Sequence, residues 1–379
     1  MIETPGLLLT MLAFMLVIGP LVFIHELGHY WAARLFGIKA EAFSIGFGRE
    51  VAGWTDRRGT RWKIGWLPLG GYVKFAGDMN ATGQPSPEWL SLPAAERQAT
   101  FQAKPVWQRA IVVAAGPAIN FLAAILILAG FALAYGESRT PATVGETIAG
   151  SAAATAGLLP GDQVTAIGGR PIETFDGMAR YVKIRAGQRV RIDFRRGDTA
   201  RSTEATIGTI EQRDRFGNIY KVGLLGVAPT DPVIVPVGLA QAPFVAVERT
   251  GEIVTMMVET IGQIVSGRRS VKELGGPLAI AKVSGEQMSL GLDEFVFLIA
   301  LVSINLGFIN LLPVPMLDGG HLLFYGIEAV RRKPVGPQAQ EWAYRGGLAA
   351  ILALMLVVTF NDLGNFGLWR GLAGLIRPG

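Results

Sequence analysis

His25-Glu26-Leu27-Gly28-His29 closes a long apolar run, and it uses two of the three histidines in a chain of 379 residues. On a helix, positions i and i+4 share a face, so both imidazoles can reach one Zn2+. In that arrangement Glu26 is not a ligand. It takes a proton from the metal-bound water and later returns it to the leaving amine. Zinc lowers the pKa of its water to about 7, which makes hydroxide available at neutral pH. The chemistry these five residues could do is peptide hydrolysis. Packing alone explains them poorly, because a charged side chain inside a span costs at least about 2.5–3.5 kcal/mol unless it has a partner or water.

A catalytic zinc needs a third protein ligand and one open position. With no cysteine in the chain, only His, Asp and Glu remain as strong ligands. The candidates beside an apolar segment are Asp318 and His321, in NLLPVPMLDGGHLLF (310–324). Pro313 and Pro315 forbid a regular helix there, and broken backbone at membrane depth is tolerated where it lines protein or a water cavity. Gly319 and Gly320 let the chain bend or approach closely. Asn305 and Asn310 could donate to a substrate or a developing oxyanion, and interhelical hydrogen bonding is at least as good an account of them.

The elements that must position these groups are membrane spans. The chain is 50% hydrophobic and 17% charged, with mean hydropathy +0.37, which a soluble domain does not match. Its 35 Lys and Arg and 30 Asp and Glu nevertheless require a polar domain. Leu7 to Ile24, Ala110 to Tyr135 and Phe295 to Leu317 are of spanning length, and Gly346 to Phe360 is marginal. Glu3 stands where a signal peptide needs basic residues, so the first run is expected to be a retained helix. Residues 39–109 carry ten Lys and Arg, and Arg331, Arg332, Lys333 and Arg345 lie between the last two spans. Both loops therefore read as cytoplasmic, and parity of four spans agrees. HELGH and LDGGH then meet at similar depth although 293 positions separate His25 from Asp318. The net charge of +5 gives no support for nucleic-acid binding.

Between the first two spans, EAFSIGFG (41–48) and TRWKIGWLPLGGYVKFAG (60–77) alternate like strands, and their paired glycines suggest a hairpin or curved ribbon. DMNATGQPSPEWLSLPAAE (78–96) reads as a loop. Residues 142–228 look like a small β-rich domain with turns at LPGD, GGRP, RRGD and RFGN. VAVERTGEIVTMMVETIGQIV (245–265) has the spacing of an amphipathic helix.

HELGH and NLLPVPMLDGGHLL resemble, in order and letters, the two signature motifs of the site-two protease family of intramembrane zinc metalloproteases. Carried over position by position, the resemblance implies His25, His29 and Asp318 as zinc ligands, Glu26 as general base and Asn310 as a substrate- or transition-state-binding residue. FSIGFG and PLGGYVKFAGD are similar to the family's membrane-associated β-loop, which makes Gly70 and Gly71 candidate substrate contacts beside Asn305 and Asn310. SAAATAGLLPGDQVTAIGGRPIETF (151–175) and GLLGVAP (223–229) resemble a circularly permuted PDZ domain, and GGPLAIAKV (275–283) looks like the bacterial regulator-of-sigma-E branch. Many members of that branch carry two PDZ domains, whereas the room between Pro141 and Pro236 fits one.

The expected fold is a polytopic α-helical membrane protein of about four transmembrane helices with a membrane-associated β-loop and an inserted periplasmic PDZ domain. The expected boundaries are span one with HELGH (1–36), a cytoplasmic β-loop region (37–109), span two (110–135), the PDZ domain (136–235) and an amphipathic helical region (236–291). Span three with NLLPVPMLDGG (292–324), a cytoplasmic loop (325–345), and span four with the tail (346–379) complete the order. The resemblance implies a multi-pass inner-membrane enzyme whose active site lies toward the cytoplasm. Its implied partners are the lipid bilayer, pre-trimmed single-pass substrates such as anti-sigma factors and remnant signal peptides, and a peptide or protein ligand of the PDZ domain. The competing expectation is a noncatalytic PDZ-containing receptor whose structural metal site is closed by a fourth protein ligand.

Overall fold

The computed structural model describes residues 6–77, 93–213, 219–267, 270 and 275–365. The RFGN turn, most of the loop expected at 78–96 and the tail from 366 lie outside the described residues. The chain divides into two compact units, 1–130 with 246–379, and 131–245.

In the first unit, α1 (Leu7–Leu35) runs on past the apolar stretch and takes HELGH into its last turns. A curled antiparallel ribbon follows, β1 (Ala40–Thr55) and β2 (Arg61–Phe75). The start of β1 pairs on one edge with the end of β2 (Ser44 with Tyr72, Ile45 with Gly71) and on the other with its beginning (Phe43 with Trp62, Ser44 with Lys63). Such doubling over requires bulges, and Gly46, Gly48 and Gly70 supply positive φ of 82°, 86° and 98°. At the tip, Asp56 accepts hydrogen bonds from the Arg58 and Thr60 amides at 2.8 and 2.9 Å, and from Trp62 Nε1 at 3.0 Å. Phe43 stacks on Trp62 at 4.4 Å, and Tyr30 of α1 meets the same indole edge-on at 5.3 Å. These rings join buried Ala33, Ile38, Phe75, Phe101, Val112 and Tyr325 in a core that fixes the ribbon against the end of α1.

After the short α2 (Ala94–Gln98) comes α3 (Val106–Tyr135), an apolar helix with Pro117 inside. The later helices are α6 (Ala242–Val265), α7 (Pro277–Leu290), α8 (Leu292–Leu311), α9 (Asp318–Arg331) and α10 (Pro337–Asn365). The intervening α4 (Ala152–Thr155) and α5 (Phe175–Lys183) belong to the second unit. Among the described residues, four helices are long and apolar enough to cross a membrane: Leu7–Leu35, Val106–Tyr135, Leu292–Leu311 and Pro337–Gly364. The third stops at Leu311, earlier than hydropathy alone suggests, because Pro313 and Pro315 cannot continue the ladder. The stretch expected as a loop at 325–345 is mostly helical, with α9 reaching Arg331 and α10 opening on Pro337. Its polar letters are helix formers, and proline suits a first helical turn. Asp362 of α10, 2% exposed, caps α7 by accepting from the Gly276 and Ala279 amides at 3.2 and 3.0 Å.

The second unit contains a four-stranded antiparallel sheet in the order β6 (Arg170–Pro171), β5 (Gln163–Ile167), β7 (Arg189–Arg196), β8 (Thr199–Thr206). Three strand pairs accompany it: β3 (Glu137–Arg139) with β12 (Val233–Val235), β4 (Val144–Thr147) with β11 (Val227–Pro229), and β9 (Gly208–Arg213) with β10 (Ile219–Leu224). α4 (Ala152–Thr155) and α5 (Phe175–Lys183) start at Ser151 and Thr174, whose hydroxyls accept from Ala154 and Gly177 amides. Val144, Leu158, Ile167, Met178, Ile192 and Ile207 are fully buried in its core. The LPGD turn is fastened by Asp162, whose side chain is 1% exposed. It accepts from the Leu159 amide at 2.9 Å and from Arg196 Nε and Nη2 at 2.7 Å each.

Candidate metal centre

Helical spacing in α1 and the sharp start of α9 bring three side chains to one point. His25 Nε2 lies 3.2 Å from His29 Nε2, Asp318 Oδ2 lies 3.2 Å from the first, and 3.5 Å from the second. Three ligands of one tetrahedral zinc at about 2.0–2.1 Å stand about 3.3–3.4 Å apart, because that is the edge of the tetrahedron. The observed triangle has this size. Asp318 Oδ2 is buried and finds no aligned hydrogen-bond donor, so it is left for a cation to satisfy. The donor set of two imidazoles and a carboxylate therefore fits zinc.

Groups behind the imidazoles hold their outer nitrogens. His29 Nδ1 is 2.9 Å from the Val112 carbonyl of α3, so it carries the ring proton and donates. His25 Nδ1 is 3.1 Å from the side-chain amide of Asn120, a residue with no exposed surface. With Nε2 turned to a metal, His25 must also donate from Nδ1, so the Asn120 amide, which places Nδ2 there, turns over to meet it with its oxygen. That orientation gives Asn120 Oδ1, otherwise buried without a partner, its hydrogen bond. The Asn120 carbonyl is itself held by Ser303 Oγ of α8 at 2.8 Å.

Glycines make this approach of helices feasible. A Cβ on Gly28 would stand 2.4 Å from the Ala115 carbonyl oxygen, and one on Gly116 would stand 2.2 Å from His29 Nε2. Gly319 and Gly320 let the first turn of α9 pack under the carbonyls of Leu311, Leu312 and Val314, at what would be 2.3–2.4 Å from a Cβ. The Gly of HELGH and both glycines of LDGG are thus requirements of packing around the ligands.

A cavity of about 430 Å3 opens on this triangle. It is lined by Glu26, Asn310, His321 and the Gly70 to Val73 stretch of β2 as well as by the three ligating residues. Gly71 leaves room for the Glu26 stem, 3.1 Å from where a Cβ would sit. Asn305 does not line the cavity. Five residues on a helix turn it about 140° away from Asn310. His321 stands outside the ligand triangle, and its ring is hydrogen-bonded to Tyr344. Among the described residues, no fourth His, Asp or Glu joins the triangle.

Residues 13–354 match the model of Peptidase family M50. The chain belongs to this family. A protein of Agrobacterium fabrum that bears the name of a zinc metalloprotease is 42% identical over 358 residues, covering 93% of this chain and 95% of its own length. Metalloprotease MmpA of Caulobacter vibrioides is 37% identical over 398 residues, with 98% and 99% covered. Among solved structures, the PDZ domain of an SdrC-like protein from Listeria monocytogenes matches 23% of this chain and 85% of its own, at 21% identity and a TM-score of 0.19. The M50 protein described here is an intramembrane zinc metalloprotease of the site-two type.

Sequence reasoning passed over Asn120, Gly116 and Tyr344. Asn120 carried a readable signal, as a polar side chain inside the second span. Gly116 and Tyr344 become visible only when α3 and α10 are packed beside the site.

Proposed function

We propose that His25, His29 and Asp318 hold the zinc, that Glu26 is the general base, and that the enzyme cleaves single-pass membrane proteins already shortened outside the bilayer. The ligand-atom triangle with Glu26 in the same cavity carries this reading. The zinc, when bound, supplies a polarised carbonyl and an acidified water. Glu26 takes the water proton and later hands it to the departing amine. The cleft at Gly71 holds the Glu26 stem in place for that transfer.

An extended substrate suits the ribbon. Alternate residues of a strand present their N–H and C=O groups to opposite edges. Gly71 to Val73 line the cavity that holds Glu26 while their pairing with β1 runs along one edge, so the other edge of this stretch is offered to that cavity. A substrate segment unwound from its helix pairs as a strand along this edge, with Asn310 lining the same cavity.

The second unit acts as a single PDZ-type module. Among the described residues, β11 pairs with β4 alone, which leaves an edge for strand addition beside the Leu224–Gly226 turn. Charge in the 39–109 and 331–345 stretches favours an inner-membrane protein with its active site toward the cytoplasm and the PDZ-type unit in the periplasm. Glu26→Gln tests the reading: the purified variant should keep one zinc per chain and lose hydrolysis of a helical reporter substrate. Cleavage at the wild-type rate with zinc bound would remove Glu26 from its role. The receptor alternative needs a fourth ligand closing the metal, and none joins the triangle among the described residues.

A further inference from the structure

His321 is the third histidine of the chain, and the zinc site does not use it. It follows Asp318 by three positions on α9, so the two side chains share a face of that helix. It lines the same cavity as Glu26, His29 and Asn310. Its ring is fixed from behind: the Tyr344 hydroxyl lies 2.9 Å from Nδ1 and 3.2 Å from Nε2, and Tyr344 is 4% exposed. Tyr344 is held in turn by the close packing of α10, where Gly347 admits the Pro315 carbonyl to what would be 2.5 Å from a Cβ. The turn that delivers Asp318 and the residue that orients His321 are thus braced by one helix face.

The hydrogen bond leaves one ring N–H free. A phenol is a much stronger donor than a neutral imidazole, so the Tyr344 hydroxyl, within reach of both ring nitrogens, donates to one of them. A neutral imidazole has one acceptor nitrogen and one N–H, so the proton sits on the other nitrogen. An N–H oriented by a buried partner, on the helix face that carries a metal ligand, is what a developing oxyanion requires.

We propose that His321 is a catalytic residue of the hydrolysis, the N–H donor to the scissile carbonyl oxygen, with Tyr344 as its positioning residue. This rests on the assignment of the zinc ligands and of Glu26 given above. As the water oxygen bonds to the carbonyl carbon, Glu26 takes the water proton and the C=O pair moves onto oxygen, where the His321 N–H meets it. When the C–N bond breaks, the pair returns to the carbonyl and the proton on Glu26 passes to the amine.

The test compares His321→Leu, His321→Gln and Tyr344→Phe in the full chain. Zinc content, kcat and KM on a helical reporter, and two affinities measured in the Glu26→Gln background are the readouts. One affinity is for a substrate-like peptide and the other for the same peptide with a tetrahedral phosphonamidate at the scissile position. Removing one oxyanion donor costs about 10²–10³-fold in kcat. His321→Leu should show such a loss with zinc retained and KM within about twofold, and it should weaken phosphonamidate binding far more than peptide binding. His321→Gln keeps an N–H and should recover part of the activity, and Tyr344→Phe should fall between wild type and His321→Leu. Equal weakening of both ligands, an unchanged kcat, or loss of zinc from His321→Gln would overturn the proposal. An active Glu26→Gln enzyme would instead count against the assigned base, and the two affinities would still decide the role of His321.

Discussion

Gly116→Ala is the most economical test of how α3 supports the metal. The added methyl would lie 2.2 Å from His29 Nε2 and 2.4 Å from Cε1, whereas ordinary contacts begin at 3.4 Å. The ring must therefore retreat by about 1.2 Å. It has little freedom to do so, since its Nδ1 is tied to Val112 at 2.9 Å and its side chain is 11% exposed. Separation of the helices would undo the close approach of α1 to the Ala115 carbonyl that Gly28 permits. Zinc–nitrogen distances tolerate about 0.2 Å, so the substitution should cost a ligand. Zinc affinity should fall by at least about 100-fold, the upper range for loss of mere outer support. Helix propensity alone favours alanine by up to about 1 kcal/mol, so the fold should survive. Zinc affinity by chelator competition, beside circular dichroism, would measure both. Gly130→Ala is the control in the same helix, with nothing within 4 Å of its Cβ. Gly116→Ala binding zinc as tightly as wild type would refute the packing argument.

Three further outcomes are expected. Asn120→Leu should weaken zinc binding by about 10–100-fold, and Asn120→Asp, which keeps an acceptor toward His25 Nδ1, should restore most of it; chelator competition distinguishes them. Gly71→Ala places a methyl 2.8 Å from the Ser44 carbonyl and 3.1 Å from Glu26 Cγ, so kcat on a helical reporter should drop by about 10–100-fold while zinc content stays at one. Burial pushes the Asp162 carboxyl up, but the Arg196 hydrogen bonds and the Leu159 amide outweigh it and hold its pKa below the ordinary value. Its contribution to stability is therefore complete above the unfolded value near 4 and is lost as pH falls through the lower, folded value. Asp162→Asn should destabilise the second unit by about 1–3 kcal/mol at neutral pH, with the gap to wild type shrinking below about pH 4 in hydrogen-exchange measurements.

The chemistry was legible because it is written locally. HELGH states its own geometry through the i, i+4 relation, and Pro313 with Pro315 announces a break in a span just where Asp318 needs to leave helical register. The ribbon was legible through alternation and glycine spacing, although its doubling over, with β1 paired on both edges, was not. Supports contributed by distant helices were hidden. Gly116 looks like any apolar-helix glycine until His29 is packed against it, and Tyr344 sits in a polar stretch that composition reads as a loop. Asn305 misled for the opposite reason, since its letter and depth matched Asn310 while helix periodicity points it elsewhere.

The most direct measurement is zinc K-edge X-ray absorption on the purified enzyme, before and after addition of a peptide hydroxamate. The account predicts four nitrogen or oxygen neighbours at about 2.0–2.2 Å, two of them imidazoles, one non-protein position that the hydroxamate takes, and loss of the signal in Asp318→Ala. A shell closed by four protein ligands, or one unchanged in Asp318→Ala, would contradict it.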